Sequence, residues 1–522
     1  MSSSSVPPNT WLHEVSGGIV AGVVSVLYAV SYAALLFPGP LSYLVPYGMG
    51  LCLASATFGA FWLAWRSQLP FAIGGPDGNT LSILAAMAAT VGTSGAAASG
   101  AGLLQVLVLM ALTTLLCATL FLALGVGRLG RAVRYIPYPV IGGFLASTGW
   151  LIATGGLRVG SDLAIGIDTL TALPRALRDP QLPATLALGL AYLVALRRWK
   201  HPFAMPALLL GSAVAVLALL AAAGISPQQA RVDGWLFDHT DKVQWMAPWQ
   251  WLRGPGAIDW AWVGGQWLDM LAVAAVAVIT VLLGASGLEV MSRSDISLDK
   301  ELRLHGWLNL ATAALGGTLS LVSVSRSAVL MQSGARSRAA GMIAAAVCAV
   351  AAAGAALLLG WVPRPVLGGF LLYLGASILW EWVVQSRRRL GLADWTLVIV
   401  ILATTITIGF AVAVVAGVIA SCLNFALSYS RVGVVQHDLD GSSLRSAVLR
   451  PAAQRQFLAA HGKDIRVLVL RGVIFFGTAS AVLEQVRGFL DPALAGTRRV
   501  LVLDFSHVAS ADSSAGLTFT KI

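Results

Sequence analysis

The residues best placed to do chemistry lie in two short polar stretches of an otherwise apolar chain. One is "SVSRSA" (Ser323–Ala328), with three serines around Arg326; the other is "GGPDGNT" (Gly74–Thr80), with Asp77 among glycines. In each, small polar residues directly precede a short apolar run. That is the pattern of a helix start, whose unpaired backbone N–H groups and positive dipole end favour an anion. Serine hydroxyls, an arginine and such N–H groups can hold an anion, but they do not make or break bonds. No nucleophile–base set, phosphate loop or metal-ligand spacing is found, so an enzyme is not expected and no catalytic residue, cofactor or metal is assigned.

The frame around these stretches is a membrane. The chain is 57% hydrophobic and 11% charged, with a mean hydropathy of +0.80. A soluble protein of this length needs far more charge to cover its surface. From about residue 15 to 429, apolar runs of 15–25 residues alternate with short polar loops, fitting the roughly 20 residues needed to cross a bilayer. Fourteen spans are expected, starting near residues 17, 46, 77, 103, 139, 183, 203, 267, 304, 325, 339, 365, 393 and 411. The first run is too long for a signal-peptide core and lacks a cleavage pattern.

The four cysteines all fall inside apolar runs and read as packing residues. The net charge of +11 is not a nucleic-acid signal. With a cytoplasmic N-terminus, sixteen basic residues fall on inner loops and seven on outer ones, as the positive-inside rule requires. Both termini are thereby placed in the cytoplasm. The outer stretch Trp235–Trp267 holds seven tryptophans, expected to anchor at the lipid interface.

One sentence of the sequence occurs twice. "IPYPVIGGFL" (Ile136–Leu145) returns 226 residues later as "VPRPVLGGFL" (Val362–Leu371). The copies open the fifth and twelfth spans, seven crossings apart, so they run in opposite directions through the membrane. That predicts an inverted repeat of seven plus seven spans, with the substrate near mid-membrane where paired discontinuous helices begin. Pro-x-Pro starts each helix, and Gly142–Gly143 and Gly368–Gly369 let a neighbour approach closely. The two polar stretches then become the paired half-helix starts. Asp77, Gly78, Asn79 and Thr80 on one side, and Ser323, Ser325, Arg326 and Ser327 on the other, are the expected substrate contacts. Arg326 is the one arginine placed well inside the membrane, where a charge is costly and functional by default. Asp77 either caps its half-helix or faces Arg326 as a neutralising partner or protonatable switch.

These residues resemble a known family. "SVSRSA" looks like the anion-site motif of the SulP family, which includes the sulfate permeases, pendrin and prestin. "DKELRLHGWLNLATAALGG" (Asp299–Gly317) resembles that family's polar loop and ninth span, and "RVLVLDFSHVASADSSAG" (Arg499–Gly516) resembles the STAS domain that follows the membrane part. The resemblance covers nearly the whole chain. It implies a uracil-permease-like fold in which a core domain (spans 1–4 and 8–11) moves against a gate domain (spans 5–7 and 12–14). It places Arg326 beside an anion held by Ser323, Ser325 and backbone amides. Two departures stand out. The first span carries Tyr28, Ser31 and Tyr32 in place of a Pro-Gln-type motif. The acidic residue of the eighth span, linked to cation or proton coupling, aligns without gaps to Thr280; a gap would bring Glu289 there instead. Thr280, Glu289 and Asp77 are the coupling candidates.

After Arg431 the pattern changes. "RVGVVQHDL", "SLRSAVLR", "IRVLVLRGVIFFG" and "RVLVLDFSHV" read as strands, and "TASAVLEQVRGFL" as an amphipathic helix. Asp512–Ser513–Ser514 would cap a following helix. Ser513 matches the serine that is phosphorylated in stand-alone STAS proteins, although capping fits a fused transporter better. The chain stops inside that helix, so the domain reads as truncated.

The expected organisation is a cytoplasmic N-terminus (1–14), an all-α polytopic transporter domain (15–431) and a partial α/β STAS domain (432–522). The expected function is secondary active transport of a small inorganic or organic anion (sulfate, bicarbonate, chloride or a dicarboxylate) by elevator-like alternating access. It would be a homodimer in the inner or plasma membrane, with coupling to protons or sodium open. The alternatives are an amino-acid or other zwitterion transporter, since Asp77 and Arg326 together match a zwitterion, and a membrane-anchored signalling protein whose tail binds partners. No nucleic-acid partner is expected.

Overall fold

Each long apolar run folds as a helix because, in lipid, a helix satisfies its backbone hydrogen bonds internally. The computed structural model describes residues 10–37, 39–93, 102–130, 137–161, 179–199, 201, 204–237, 256, 258–333, 335, 337–430, 433–441, 443–444, 448–474, 476–489 and 500–520. Expectations for Arg131, Arg134, Arg175, Arg178, Lys200, Lys242, Arg253, Arg336, Arg431, and for Trp245, Trp249 and Trp251, lie outside the described residues.

Among the described residues, helices stand at each of the fourteen expected positions. They are α1 (Thr10–Leu36), α2 (Val45–Arg66), α3 (Gly78–Thr93), α4 (Gly102–Val126), α5 (Tyr138–Ser161), α6 (Gln181–Arg198) and α7 (Ala204–Ala222). The second set is α8 (Trp267–Ser292), α9 (Leu298–Leu315), α10 (Val324–Gln332), α11 (Arg338–Leu359), α12 (Arg364–Leu379), α13 (Leu392–Thr407) and α14 (Phe410–Ser430). Seven are long and apolar enough to cross a membrane. α1 starts at Thr10, ahead of the predicted 17, and α9 at Leu298, ahead of 304. Both extensions are polar turns that the hydropathy pattern leaves out. α3 and α10 are short, as their interrupted sequences require.

The two extended stretches ahead of the short helices form strands β1 (Gly74–Pro76) and β2 (Ser320–Val322). They pair antiparallel, with Gly74 opposite Val322 and Pro76 opposite Ser320. Around them α2 packs on α11, α4 on α9, α1 on α11, α4 on α8, α5 on α12 and α13, and α6 on α12. The twin glycine motifs do what the sequence predicts. A Cβ on Gly368 would lie 2.6 Å from the Gly156 carbonyl oxygen, so α12 meets α5 nearly backbone to backbone, and one on Gly143 would lie 2.6 Å from the Ile401 side chain of α13.

Arg364, assigned from the sequence to an outer loop, is buried within the protein at the start of α12. Arg364 is 8% exposed. Its Nε donates to Val159 O at 3.1 Å and its Nη1 to Gly234 O at 3.5 Å. The cause is remote in sequence: Trp235–Phe237 folds back against the start of α12, with Arg364 N donating to Trp235 O.

The chain divides into two compact units, residues 1–418 and 419–522. In the second, β3 (Val435–Asp440), β4 (Ile465–Ile474) and β5 (Val500–Ala511) form a mixed sheet in the order β3-β4-β5. The parallel β4–β5 pair needs a crossover, and helix α16 (Phe476–Phe489) stands where it was predicted. Ala479, Val482 and Val486 on its buried face pack on Leu468, Leu470 and Ile474. The strand expected over Ser443–Arg450 is not found. Residues 445–447 lie outside the described residues, and the rest of the segment is turn, bend or irregular. Instead, α15 (Ala452–His461) follows; its start at Pro451 is a helix-entry signal that the strand pattern masked.

Candidate functional site

Backbone that is neither helical nor in a closed sheet at membrane depth must find partners within the protein. Here the β1–β2 pair is enclosed by side chains of α2, α9 and α10. Ile73 N donates to Ser327 Oγ at 2.9 Å, and Ser323 N donates to Ile73 O at 2.9 Å. On the far edge of β2, Ser320 N donates to Asn309 Oδ1 (2.8 Å) and Asn309 Nδ2 returns a bond to Ser320 O (2.9 Å). Val322 N donates to His305 Nε2 at 3.1 Å, and His305 Nδ1 lies 2.8 Å from Glu301 O. The accepting role of Nε2 assigns the imidazole proton to Nδ1. The Ser55 hydroxyl bonds both N and O of Thr318, each at 2.7 Å. α2 touches the strands directly: a Cβ on Gly59 would lie 2.2 Å from Ser320 Oγ and 2.6 Å from Gly75 N.

These supports were not anticipated. Their signal is a buried polar stripe, Glu301–His305–Asn309, repeating every fourth residue on α9 inside the segment noted only for its family resemblance. Glu301 itself accepts from Ser67 Oγ (3.1 Å) and Gln68 N (3.0 Å), fixing the end of α2.

The two half-helix starts differ. In α10, Ser323 is the N-cap; its Oγ accepts from Arg326 N at 3.4 Å and lies 3.2 Å from Ser325 Oγ. Ser327 Oγ donates to Ser323 O at 2.7 Å, so Ser327 is a clasp within the frame rather than a free hydroxyl. The N–H groups of Val324 and Ser325, at the first turn, have no intrahelical acceptor. In α3, Asp77 fills the end: its Oδ2 accepts from Asn79 N (3.0 Å) and Thr80 N (3.2 Å), and Thr80 Oγ1 donates to Asp77 O. The α3 start thus carries its own carboxylate, whereas the α10 start is open.

Arg326 is 2% exposed. Its Nη2 donates to Pro76 O at 3.0 Å, while Nη1 is buried and has no partner. No ion pair joins it to Asp77 among the described residues, and the Asp77 carboxylate caps α3. Gly75 lies alongside: a Cβ there would sit 2.5 Å from Arg326 Nη1. The guanidinium carbon stands 5.9 Å from the Tyr28 ring centroid, and the Tyr28 and Tyr32 rings are 5.5 Å apart. Tyr32 Oη lies 2.7 Å from where a Cβ on Gly78 would be. Tyr28, Tyr32, Asp77, Gly78, Arg326 and Ser325 therefore surround one spot.

The other expected residues divide. The Ser31 hydroxyl donates back to Leu27 O at 2.8 Å and is spent within its own helix. Asn79 faces α5, where its Oδ1 accepts from Thr148 Oγ1 at 3.0 Å. The Thr280 hydroxyl is buried without a partner; one turn on, α8 touches β2, with Gly284 beside Val322. Glu289 Oε1 accepts from Ile296 N at 3.2 Å and closes the α8–α9 turn, the loop-pairing role. Ser513 is an exposed residue of the second unit. It opens α17 (Ser513–Phe519), and the cap is Asp512, whose Oδ1 accepts from Ala515 N at 2.6 Å.

A membrane-embedded pair of half-helices meeting through antiparallel strands, with an arginine at one helix start, is an arrangement suited to a membrane transporter. Residues 11–403 match the sulfate permease family, and the chain belongs to it. It is therefore an integral membrane protein of a transporter family and not an enzyme. Among curated relatives, it is 23% identical to the vacuolar basic amino acid transporter VSB1 of Saccharomyces cerevisiae, covering 99% of this chain and 51% of the relative. The chain thus spans about half the length of that protein. It is 24% identical to the bicarbonate transporter BicA of Synechocystis, covering 78% of this chain and 70% of BicA. Its fold is shared with murine Slc26a9, an anion transporter solved in the inward-facing state (TM-score 0.72, 15% identity, 99% of this chain and 84% of that one). It is also shared with the transmembrane domain of a cyanobacterial BicA (TM-score 0.59, 21% identity, 80% and 98%).

Proposed function

We propose that this protein is a secondary active transporter that moves a small anion, such as bicarbonate, sulfate, chloride or a dicarboxylate, by elevator-like alternating access. The observation that carries the reading is the buried, unpartnered Nη1 of Arg326 beside the open start of α10. A desolvated guanidinium N–H without an acceptor is costly, and a bound anion is the group that would satisfy it together with the Ser325 hydroxyl and the first N–H groups of α10.

The alternating-access part rests on symmetry. Exchanging each of the first seven helices with the one seven later maps α2–α11 onto α9–α4, α1–α11 onto α8–α4, and α5–α13 onto α12–α6. All of these pairs pack in the structure, and the β1–β2 and α5–α12 pairs map onto themselves. Such a pattern supports the 7+7 inverted repeat. The family resemblance supplies the core (α1–α4 and α8–α11) and the gate (α5–α7 and α12–α14). On this reading both termini are cytoplasmic, residues 432–522 are part of a STAS domain, and the protein works as a homodimer.

A second reading has a specific observation behind it. The α3 start is filled by the Asp77 carboxylate, so only one half-helix end can take an anion, while the other presents a negative group. A substrate with a carboxylate for Arg326 and α10 and an ammonium for Asp77 fits that polarity. The yeast relative is a basic amino acid transporter.

A counterflow panel in proteoliposomes separates the two. Bicarbonate, sulfate, chloride, a dicarboxylate and neutral and basic amino acids are each tested with and without sodium or a pH gradient. Exchange of inorganic anions alone supports the first reading; exchange of amino acids alone supports the second. Flux of none, from protein shown to be folded, overturns both and leaves the signalling role.

A further inference from the structure

The exchange symmetry is broken at several helix pairs, and one of these breaks involves a substrate-bearing half-helix. α3 packs against α5, but its symmetry mate α10 makes no comparable contact with α12. At the α3–α5 contact, Thr148 Oγ1 lies 3.0 Å from Asn79 Oδ1 and 2.9 Å from Leu145 O, and Thr148 is fully buried. One turn further along α5, Ile152 meets Gly78, approaching within 3.3 Å of where a Cβ would stand. The neighbouring Ser147 accepts from Thr405 Oγ1 at 2.8 Å, which ties the same stretch of α5 to α13. The start of the substrate-bearing half-helix is thus hydrogen-bonded into the α5–α13 pair.

The symmetry mates of these residues follow from the helix starts, with Gly78 matching Val324 and Tyr138 matching Arg364. Asn79 then corresponds to Ser325 and Thr148 to Leu374. A leucine side chain can neither donate nor accept a hydrogen bond. If the opposite-facing state arises by exchanging the conformations of the two repeats, α10 comes to rest on α12 there without such a bond, and the Thr148–Asn79 bond is open.

We propose that Thr148 is a positioning residue whose hydrogen bond to Asn79 latches the α3 start onto α5 and biases the carrier toward the state observed here. The inference rests on the alternating-access reading. It gives the conformational equilibrium a built-in asymmetry of one buried hydrogen bond, about threefold in population from typical intramembrane values.

Double electron–electron resonance on the full chain in nanodiscs tests it without a known substrate. Spin labels are placed at the exposed positions Trp307 on α9 and Leu190 on α6, with the exposed Cys422 replaced by serine. Two distance populations are expected. Thr148→Val, which keeps the shape and loses the hydroxyl, should shift their ratio about threefold away from the state described, and Thr148→Ser should restore the wild-type ratio. An unchanged ratio in Thr148→Val, or an equal shift in Thr148→Ser, overturns the latch while the two populations still support alternating access. A single distance in every variant overturns both.

Discussion

Arg326 reaches out of one half of the membrane domain and donates, at 3.0 Å, to the carbonyl oxygen of Pro76 in the other. The bond crosses from the α10 start to the end of β1. It fixes one guanidinium nitrogen and leaves Nη1 beside Gly75 without an acceptor.

That geometry uses the planar fork of arginine. Arg326→Lys keeps the charge but cannot serve Pro76 O and a ligand at fixed positions together. We expect a loss of transport of about ten- to a hundredfold for Arg326→Lys and Arg326→Gln alike, from one charge-assisted hydrogen bond of roughly 1.5–3 kcal/mol. Initial uptake rates in proteoliposomes measure it, and near-wild-type flux in the lysine variant would remove the fork from the mechanism.

Asp77 should separate capping from charge. Asn caps a helix about as well as Asp, so Asp77→Asn should melt close to wild type in detergent, whereas Asp77→Ala should lose about 1 kcal/mol. If the substrate carries an ammonium group, both variants should raise its KM. If it is a simple anion, Asp77→Asn should bind it no worse.

Asn309 holds both edge groups of Ser320, and all three are buried. Asn309→Leu leaves a buried N–H and C=O unpaired, at about 1–3 kcal/mol each. A lowered melting temperature is expected, with whatever folded protein remains showing reduced transport because β2 sets the α10 start. A variant as stable as wild type would sink this account of the stripe on α9.

At Gly59 the constraint is steric. Gly59→Ala puts a methyl group 2.2 Å from Ser320 Oγ and 2.6 Å from the Gly75 backbone nitrogen. The backbone nitrogen cannot swing aside, so a cost of roughly 1–3 kcal/mol from overpacking is expected. Gly354→Ala, where nothing stands within 4 Å, is the control, and thermal melts of the pair should differ.

In the second unit, the Arg466 guanidinium bonded to Asp438 holds that carboxyl below its ordinary range. Because the folded value is depressed, the contribution is present above the unfolded pKa, near about 4, and is lost as pH falls through the folded value. The side chains are 27% and 41% exposed, so solvent screening keeps it below about 1 kcal/mol. Hydrogen exchange of β3 and β4, compared between wild type and Asp438→Asn, should differ slightly at pH 6 and converge toward pH 3.

Much of the frame was legible from local pattern. The fourteen helix positions follow from apolar run length, and the paired starts at Asp77 and Arg326 from small polar residues ahead of short runs. The tail strands followed from short runs of branched aliphatic residues, except that the described residues of Ser443–Arg450 form no strand. A short strand-like pattern forms a strand only when a neighbouring strand accepts it. The site was legible as a neighbourhood rather than as a set of roles. Ser31 and Ser327 have the right chemistry, but their hydroxyls are used within the scaffold.

The sequence by itself determined that this is a membrane protein, where its helices lie and which two stretches break them. Those are properties of consecutive residues and their transfer into lipid. Only the tertiary structure decided what the polar residues are for. Arg326 meets Pro76 across 250 residues, Ser55 meets Thr318 across 263 and Thr148 meets Asn79 across 69. No local period encodes such pairings. They arise because buried backbone at membrane depth must find donors and acceptors wherever packing brings them.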